Sequence, residues 1–552
     1  MGGTRFVKIR WPDLLAGLAI SGLVVPEALA YAGIAGAPPL SGLMAAIAGM
    51  ISYALLGTSR YAIVAATSSS AAVLAAALPA IPGMTVGEQM ALSAALVISS
   101  GLLFLLCSVL GLGAMAAFIA RPVVRGFSLG IAAIISVRQF ATLCGLHAAH
   151  TAVLPLLLEL FARRAQWHVP SLLLGLVALA SLLLLRRVPR MPATLVVLAL
   201  GTTCLPLLGA HGAGIGVVGP IEMTGVHPRL PELPLDAWFH TAGVSLALML
   251  VLFAESYGAV RSCALRHGDT INVNRELLGL GAANVVAGLF QGLPVVAGYS
   301  ATYANESLGA RSRLAGVVAA AGVVATLCFL RPWVARIPEP VLAAIVIYSM
   351  RHALGFAPLR PYLAWKRDRA VLAVAVGAVL CFGILNGLLV AIGASLVLLI
   401  RELSQPRFSV LGRLGGGHDF VSITAHQGAV TIPGMLILRP EEPLFFGNVE
   451  AVLDKAATQL AAAPATHMLI LSLEESPDLD GTAIEALGQF AAQLRRSGCE
   501  LRLARLKDPV LEVLDTAALP GLTGAALSSA SVDAVVAAQG QVPGGLPPPV
   551  LR

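Results

Sequence analysis

The sequence predicts a polytopic α-helical membrane protein of about fourteen spans, built as two inverted halves and followed by a small soluble α/β domain. Three observations point there. The 552 residues are 57% hydrophobic and only 12% charged, against about 25% charged in an ordinary soluble chain. Apolar stretches recur as far as Leu403, near the length of about 20 residues that a bilayer asks of a helix. Past Gln405, short apolar runs alternate instead with charged, helix-patterned stretches.

The net charge of +7 does not call for nucleic acid, because the basic residues stand in short loops between apolar spans. Loops of that kind orient a membrane protein. The 56 glycines suit close helix packing in lipid. The seven cysteines are scattered without a CxxC pair, which argues against a disulfide framework and a zinc site. The histidines His147, His150, His211, His227 and His240 fall in expected outer loops without ligand spacing, so no metal is expected. No nucleophile–base set and no Walker motif stands out, so an enzyme is not expected.

In chain order, residues 1–12 form a short basic lead with Trp11 at the interface, and no small-residue cleavage site follows it. The transport region is expected over 13–404, with the first repeat at 13–210 and the second at 241–404. Spans are expected near 14–31, 40–56, 61–78, 91–110, 122–140, 151–161, 170–185 and 193–209. The linker 211–240 is Pro- and Gly-rich, poor in Lys and Arg, and placed outside. The second repeat continues with spans near 241–260, 276–291, 298–309, 314–330, 338–350, 370–384 and 387–401. Basic clusters at Arg121/Arg125, Arg186/Arg187, Arg261/Arg266, Arg311/Arg313 and Lys366/Arg367 fall on one side and place both termini in the cytoplasm. Arg331 and Arg336 run against that count.

The two halves echo each other. Each opens with a carboxylate-bearing span, Glu27 in one and Glu255 in the other. Each has a third span that is short and interrupted by hydroxyls, Thr67–Ser70 in one and Tyr299–Thr302 in the other. Seven spans per half make the repeats inverted, and paired interrupted segments at matching positions point to a midplane site. Irregular backbone survives at that depth only where it lines a cavity or is buried in protein. A half-helix starting there aims its N–H groups into the cavity, where an anion is stabilised. The expected substrate contacts are Thr67, Ser68, Ser69, Tyr299, Ser300, Ala301 and Thr302, acting through backbone N–H groups more than side chains.

An intramembrane carboxylate costs about 2.5–3.5 kcal/mol at a helix centre on insertion scales, which makes Glu27 and Glu255 functional candidates. Desolvation favours the neutral form of a carboxyl, which suits a group that binds and releases a proton during transport. Glu27 and Glu255 are the expected proton-coupling pair, against the blander role of hydrogen-bond partners for the interrupted helices. Glu306, close to the end of its span, and the late-span Arg138 read as structural.

The domain over 405–540 alternates a strand around Val430–Leu438, a helix at Val449–Leu460, a strand at His467–Leu473, a helix at Thr482–Ser497 and a strand at Glu500–Leu506. Asp480 and Thr482 fit a helix cap. The tail 541–552 is Pro/Gly-rich and expected to be disordered.

Several stretches together resemble the SulP (sulfate permease) family of anion transporters. They are Val25-Pro-Glu-Ala-Leu-Ala-Tyr-Ala32, Phe253-Ala-Glu-Ser256, Asn274-Arg-Glu-Leu-Leu-Gly-Leu-Gly281 with Asn284, Gly292 to Asn305, and Pro340-Val-Leu-Ala-Ala-Ile-Val346. Pro440–Asn448 and Asp480-Gly-Thr-Ala483 resemble the STAS domain that closes such proteins. The resemblance implies a uracil-permease-like fold of 7+7 inverted repeats, with core and gate domains, a cytoplasmic STAS domain, a homodimer and elevator-type alternating access. Two positions depart from the pattern. Ala301 stands where many relatives carry an arginine, which removes a fixed cation from the site. Gly481 stands where the serine phosphorylated in soluble STAS proteins would be, which puts that switch in doubt.

The expectation is a secondary active transporter of small anions (sulfate, dicarboxylate or bicarbonate) in an inner membrane. The proton is the expected coupling ion, with Na⁺ as the other candidate and no further cofactor. The alternatives are an anion exchanger or channel, or a scaffold that recruits a cytoplasmic protein through the STAS domain.

Overall fold

The computed structural model describes residues 10–78, 85–113, 121–146, 153–187, 193–206, 214–223, 227–355, 359–405 and 407–540. Contacts divide the chain into two units, 1–395 and 396–552.

The first unit is helical. Its elements are α1 (Trp11–Ala35), α2 (Pro39–Leu56), β1 (Val64–Ala65), α3 (Ser68–Ala77), α4 (Val86–Val109), α5 (Arg121–Leu143), α6 (Val153–Ala162), α7 (Val169–Leu185) and α8 (Ala193–Cys204). There follow α9 (Leu235–His267), α10 (Val273–Leu289), β2 (Val296–Ala297), α11 (Tyr299–Ser307), α12 (Leu314–Phe329), the short α13 (Arg331–Val334), α14 (Glu339–Leu354), the short α15 (Arg360–Ala364), α16 (Lys366–Phe382) and α17 (Ile384–Leu403). Among the described residues, α1, α2, α4, α5 and α9 hold stretches long and apolar enough to cross a membrane.

The helices sort into two bundles. In one, α1 packs on α2, α3, α11 and α12, while α10 packs between α2 and α4, and α4 also meets α9. In the other, α5 packs on α14 and α16, and α7 on α14 and α8. The bundles meet where α1 touches α14 and α3 touches α5.

Small residues set the closest of these approaches. A methyl placed on Gly101 of α4 would stand 2.7 Å from the Val285 nitrogen of α10, and one on Gly281 would stand 3.0 Å from the Gly101 carbonyl. The two backbones therefore touch directly, as small-residue seams allow in lipid.

Three expectations need revision. The stretch near 151–161 holds α6, only ten residues long, too short to cross a bilayer as a helix. Helix α9 begins at Leu235 rather than Thr241, because its first turn carries Asp236 and Trp238 and hides in a polar sequence. His240 is therefore helical rather than in a loop; His147, His150 and His211 lie outside the described residues.

The centre of the first unit is not helical. The arm before α3 and the arm before α11 run extended and pair antiparallel over two residues each, Val64 with Ala297 and Ala65 with Val296. Side chains stand in for the missing strands. Asn284 of α10 donates Nδ2 to the Val295 carbonyl at 3.0 Å and accepts from the Val295 N–H at 3.0 Å. The Ser256 hydroxyl accepts from Ala297 N–H at 3.1 Å. Thr302 Oγ1 accepts from Ile63 N–H at 3.3 Å, and Asn305 Nδ2 donates to the Tyr61 carbonyl at 2.9 Å. The ladder residues Val64, Val296 and Ala297 have no exposure, so each unpaired backbone group there would carry a full desolvation cost.

The second unit carries a mixed sheet in the order β4 (Phe420–Ser422), β3 (Phe408–Leu414), β6 (Met435–Pro440), β7 (Met468–Ser472) and β8 (Glu500–Ala504), with β5 (Ala429–Val430) also on β3. Strands β6, β7 and β8 are parallel. Alternation along β7 sends Leu469 and Leu471 to one face and Met468 and Ile470 to the other. The first face packs with α18 (Val449–Ala461), α19 (Gly481–Arg496) and α20 (Asp508–Ala517). The second packs with Val532, Val535 and Val536 of α21 (Val532–Gly540). Asp480 caps α19 through Ala483 N–H at 2.8 Å and also accepts from Phe446 N–H at 2.6 Å.

Replacing Asn284 by leucine strands two buried backbone groups of the Val295 arm. The expected loss is about 2–4 kcal/mol, read as a lowered melting midpoint of the detergent-purified protein; a variant as stable as the parent contradicts this role.

Candidate functional site

The β1–β2 ladder brings the start of α3 beside the start of α11. A methyl on Gly298, the N-cap of α11, would stand 2.7 Å from Cγ2 of Thr67, the N-cap of α3. Two helix N-termini thus share one spot, and each brings the positive end of its dipole, roughly half an elementary charge.

The two caps differ in chemistry. Thr67 closes a capping box: its hydroxyl accepts from Ser70 N–H at 3.2 Å, and its own N–H donates to Ser70 Oγ at 2.9 Å. The Ser70 hydroxyl also donates to the Pro294 carbonyl at 2.8 Å, which ties α3 to the opposite arm. Helix α11 is capped by glycine, so no side chain competes for its first donors. Its first bond back to the cap is Thr302 N–H to Gly298 carbonyl at 3.1 Å. The N–H groups of Tyr299, Ser300 and Ala301 remain free of backbone partners, as expected for the first turn of a helix.

One carboxylate serves each half-helix. Glu255 of α9 accepts a short hydrogen bond from Ser69 Oγ and a longer one, 3.4 Å, from Thr67 Oγ1. Glu27 of α1 accepts from Ser300 Oγ at 3.4 Å. Glu27 is buried, Glu255, Thr67, Ser69 and Tyr299 are half-buried, and Ser300 is exposed. The first helix carries Pro26 just ahead of Glu27, where proline removes a helix hydrogen bond.

Not every expected contact faces the opening. Thr302 and Ala301 are buried, and the Thr302 hydroxyl is engaged by Ile63. Ser68 is buried with its Oγ 3.7 Å from the Met350 sulfur of α14. The structure thus brings Thr67, Ser69, Tyr299 and Ser300 together with both carboxylates, and places Ser68, Ala301 and Thr302 behind them.

Further residues order this region; of these the sequence reads Glu306 as structural and holds Glu276 within a family motif, while Asp13 carries no signal. Arg125 of α5, read above only as a loop cation, holds its guanidinium carbon 5.6 Å from the centre of the Tyr299 ring. Asp13 is fully buried and accepts from the Arg311 N–H at 2.7 Å, the Ser312 N–H at 3.0 Å and the Ser312 hydroxyl at 2.8 Å. Glu276 is buried and accepts from Tyr53 at 2.6 Å and the Thr58 N–H at 2.8 Å. Glu306 closes the far end of α11, paired with Arg266 at 2.5 Å and His267 at 2.8 Å.

Known proteins resemble this chain in sequence and in fold. The model of the sulfate permease family matches residues 11–370, and that of the STAS domain matches 427–529. A probable sulfate transporter of Mycobacterium tuberculosis is 31% identical over 520 residues, 93% of each chain. The chloroplastic sulfate transporter 4.1 of Arabidopsis thaliana is 27% identical over 89% of this chain and 74% of its own. Among solved structures, the murine solute carrier 26 family member A9 anion transporter superposes with a TM-score of 0.87 at 20% identity, covering 97% of this chain and 93% of that one. The transmembrane domain of a cyanobacterial bicarbonate transporter covers 69% of this chain and 97% of its own, with a TM-score of 0.62 at 24% identity.

The contact of the two caps is testable alone. Gly298→Ala drives a methyl into Thr67 Cγ2 and is expected to cost about 1–3 kcal/mol, the range for overpacking. Adding Thr67→Ser removes the opposing methyl while keeping the hydroxyl cap, and should return most of the lost melting temperature. Equal melting of the single and double variants contradicts the packing.

Proposed function

The chain belongs to the sulfate permease family of membrane-spanning anion transporters, and from that premise we propose a secondary active symporter that moves a small anion together with protons. The observation that carries this reading is the pairing of each half-helix N-terminus with one carboxylate: Ser69 with Glu255, and Ser300 with Glu27.

An ionised carboxylate only accepts hydrogen bonds. While ionised, Glu255 and Glu27 occupy the hydroxyl donors that an anion would use, and they repel it. Protonation removes the repulsion and lets the hydroxyls turn to the substrate. The anion and the proton therefore favour each other's binding, which is the coupling a symporter needs. Thr67, Ser69, Tyr299 and Ser300 bind the anion in this reading, with the free N–H groups of Tyr299 and Ser300 as principal donors. Ser68, Ala301 and Thr302 shape the floor.

The substrate class is sulfate, a dicarboxylate or bicarbonate. The names of the relatives, sulfate transporters and a bicarbonate transporter, support that range. Both half-helices and both carboxylates stand on one bundle, which supports elevator-type alternating access: that bundle carries the whole site as it slides along the other. The protein is proposed to sit in the inner membrane as a homodimer, with both termini and the STAS domain in the cytoplasm. A Na⁺-coupled symporter is the second reading, and half-helix ends that can hold small ions support it.

Purified protein in liposomes tests this with labelled sulfate, succinate, fumarate, bicarbonate and chloride. One anion should accumulate only under an inward proton gradient, and faster as the outer pH falls, because the carboxylates must be protonated for the anion to bind. Glu27→Gln should abolish the gradient dependence while leaving anion binding. Accumulation driven by Na⁺ alone, or an unchanged proton dependence in Glu27→Gln, contradicts proton symport.

A further inference from the structure

We propose that Arg125 is a specificity-determining residue of the anion site, supplying from α5 the positive charge that the half-helices lack. The inference rests on reading the half-helix pair as an anion site. Neither half-helix carries a lysine or arginine: α3 reads Ser-Ser-Ser-Ala-Ala-Val-Leu-Ala-Ala-Ala and α11 reads Tyr-Ser-Ala-Thr-Tyr-Ala-Asn-Glu-Ser. Even with both carboxylates protonated, only two fractional dipole charges are left to face the anion, a poor balance for holding a divalent one.

Arg125 corrects that balance. Its guanidinium lies 5.6 Å from the centre of the Tyr299 ring, on the first turn of α11. That distance is within cation–π range, an attraction that uses none of the guanidinium's five N–H donors and leaves them for a planar or tetrahedral oxyanion. No carboxylate pairs with Arg125 among the described residues. Arg266 makes the instructive contrast. It too lies over a tyrosine of α11, Tyr303, at 4.5 Å, but Glu306 already neutralises it. Of these two arginines over α11 tyrosines, Arg125 is the one whose charge no described carboxylate pairs, and it lies at the N-terminal end.

The geometry also carries a preference. A guanidinium edge can donate two parallel hydrogen bonds to sulfate or a carboxylate but not to a single halide ion. Arg125 should favour oxyanions over chloride. Since α5 belongs to the other bundle, the site holds this cation only in the arrangement of bundles seen here, so anion affinity changes as they move.

The test measures binding of labelled sulfate and labelled fumarate to the full-length purified protein, with chloride as competitor. Arg125→Gln should weaken the better-bound oxyanion about tenfold or more, the loss expected for a charge-assisted hydrogen bond. The preference for that oxyanion over chloride should fall with it. Arg125→Lys keeps the charge without the fork and should fall between parent and glutamine in affinity. Arg121→Gln removes the same charge from an exposed position one turn away and should leave binding unchanged. A folded Arg125→Gln or Arg125→Lys with parental affinity and preference overturns the assignment, as does an equal loss in Arg121→Gln. A parent protein that binds neither of these oxyanions, nor labelled bicarbonate in the same assay, overturns the reading of the site and this inference with it.

Discussion

The structure depends on one constraint: extended backbone in the middle of a bilayer must find every hydrogen bond within the protein. Two residues of ladder on each arm, Val64–Ala65 and Val296–Ala297, meet part of that demand. Asn284, Ser256, Thr302 and Asn305 meet more of it, each by presenting a side-chain amide or hydroxyl where a further strand would have offered its backbone. Once the arms are satisfied, the helices that follow must begin at mid-depth. Their N-termini then meet where Gly298 approaches Thr67.

The charges follow from that meeting. The positive dipole ends of α3 and α11 come together there, and Glu255 and Glu27 sit on the hydroxyls of the same two turns. In the proposed reading, a carboxylate in this place competes with the substrate when ionised and yields to it when protonated. Proton coupling, in this account, needs no moving part beyond a hydroxyl that changes partner. The glycine cap of α11 matters for the same reason as the threonine cap of α3. Glycine leaves the first N–H donors of α11 without a capping side chain, whereas the threonine hydroxyl takes one donor of α3 to fix the geometry.

Much of this was legible in the chain. The broken third span of each half, the hydroxyl clusters and the two intramembrane carboxylates are local features, visible as departures from an apolar pattern. The strands and helices from Met435 to Ala504 showed through alternation and amphipathic spacing. What did not show was set by tertiary pairing. Asn284 reads as an ordinary polar residue in a helix, and only the fold puts it beside Val295. Arg125 reads as a loop cation until α5 lays it over Tyr299. The burial of Ser68 and Thr302 depends on which way a half-helix turns, and a run of four hydroxyls gives no hint of it. Strands β3 and β4 escaped notice because Gly412 interrupts the apolar pattern of β3 and β4 is only three residues long.

The central claim is that an anion binds between the two half-helix N-termini. The most direct test is a structure of the protein with selenate, a tetrahedral oxyanion whose selenium scatters anomalously. The account places the anomalous peak between Ser69 and Ser300, within hydrogen-bond reach of the Tyr299 and Ser300 N–H groups. A peak elsewhere in the membrane unit, or an empty half-helix pair at concentrations that saturate uptake, would contradict it.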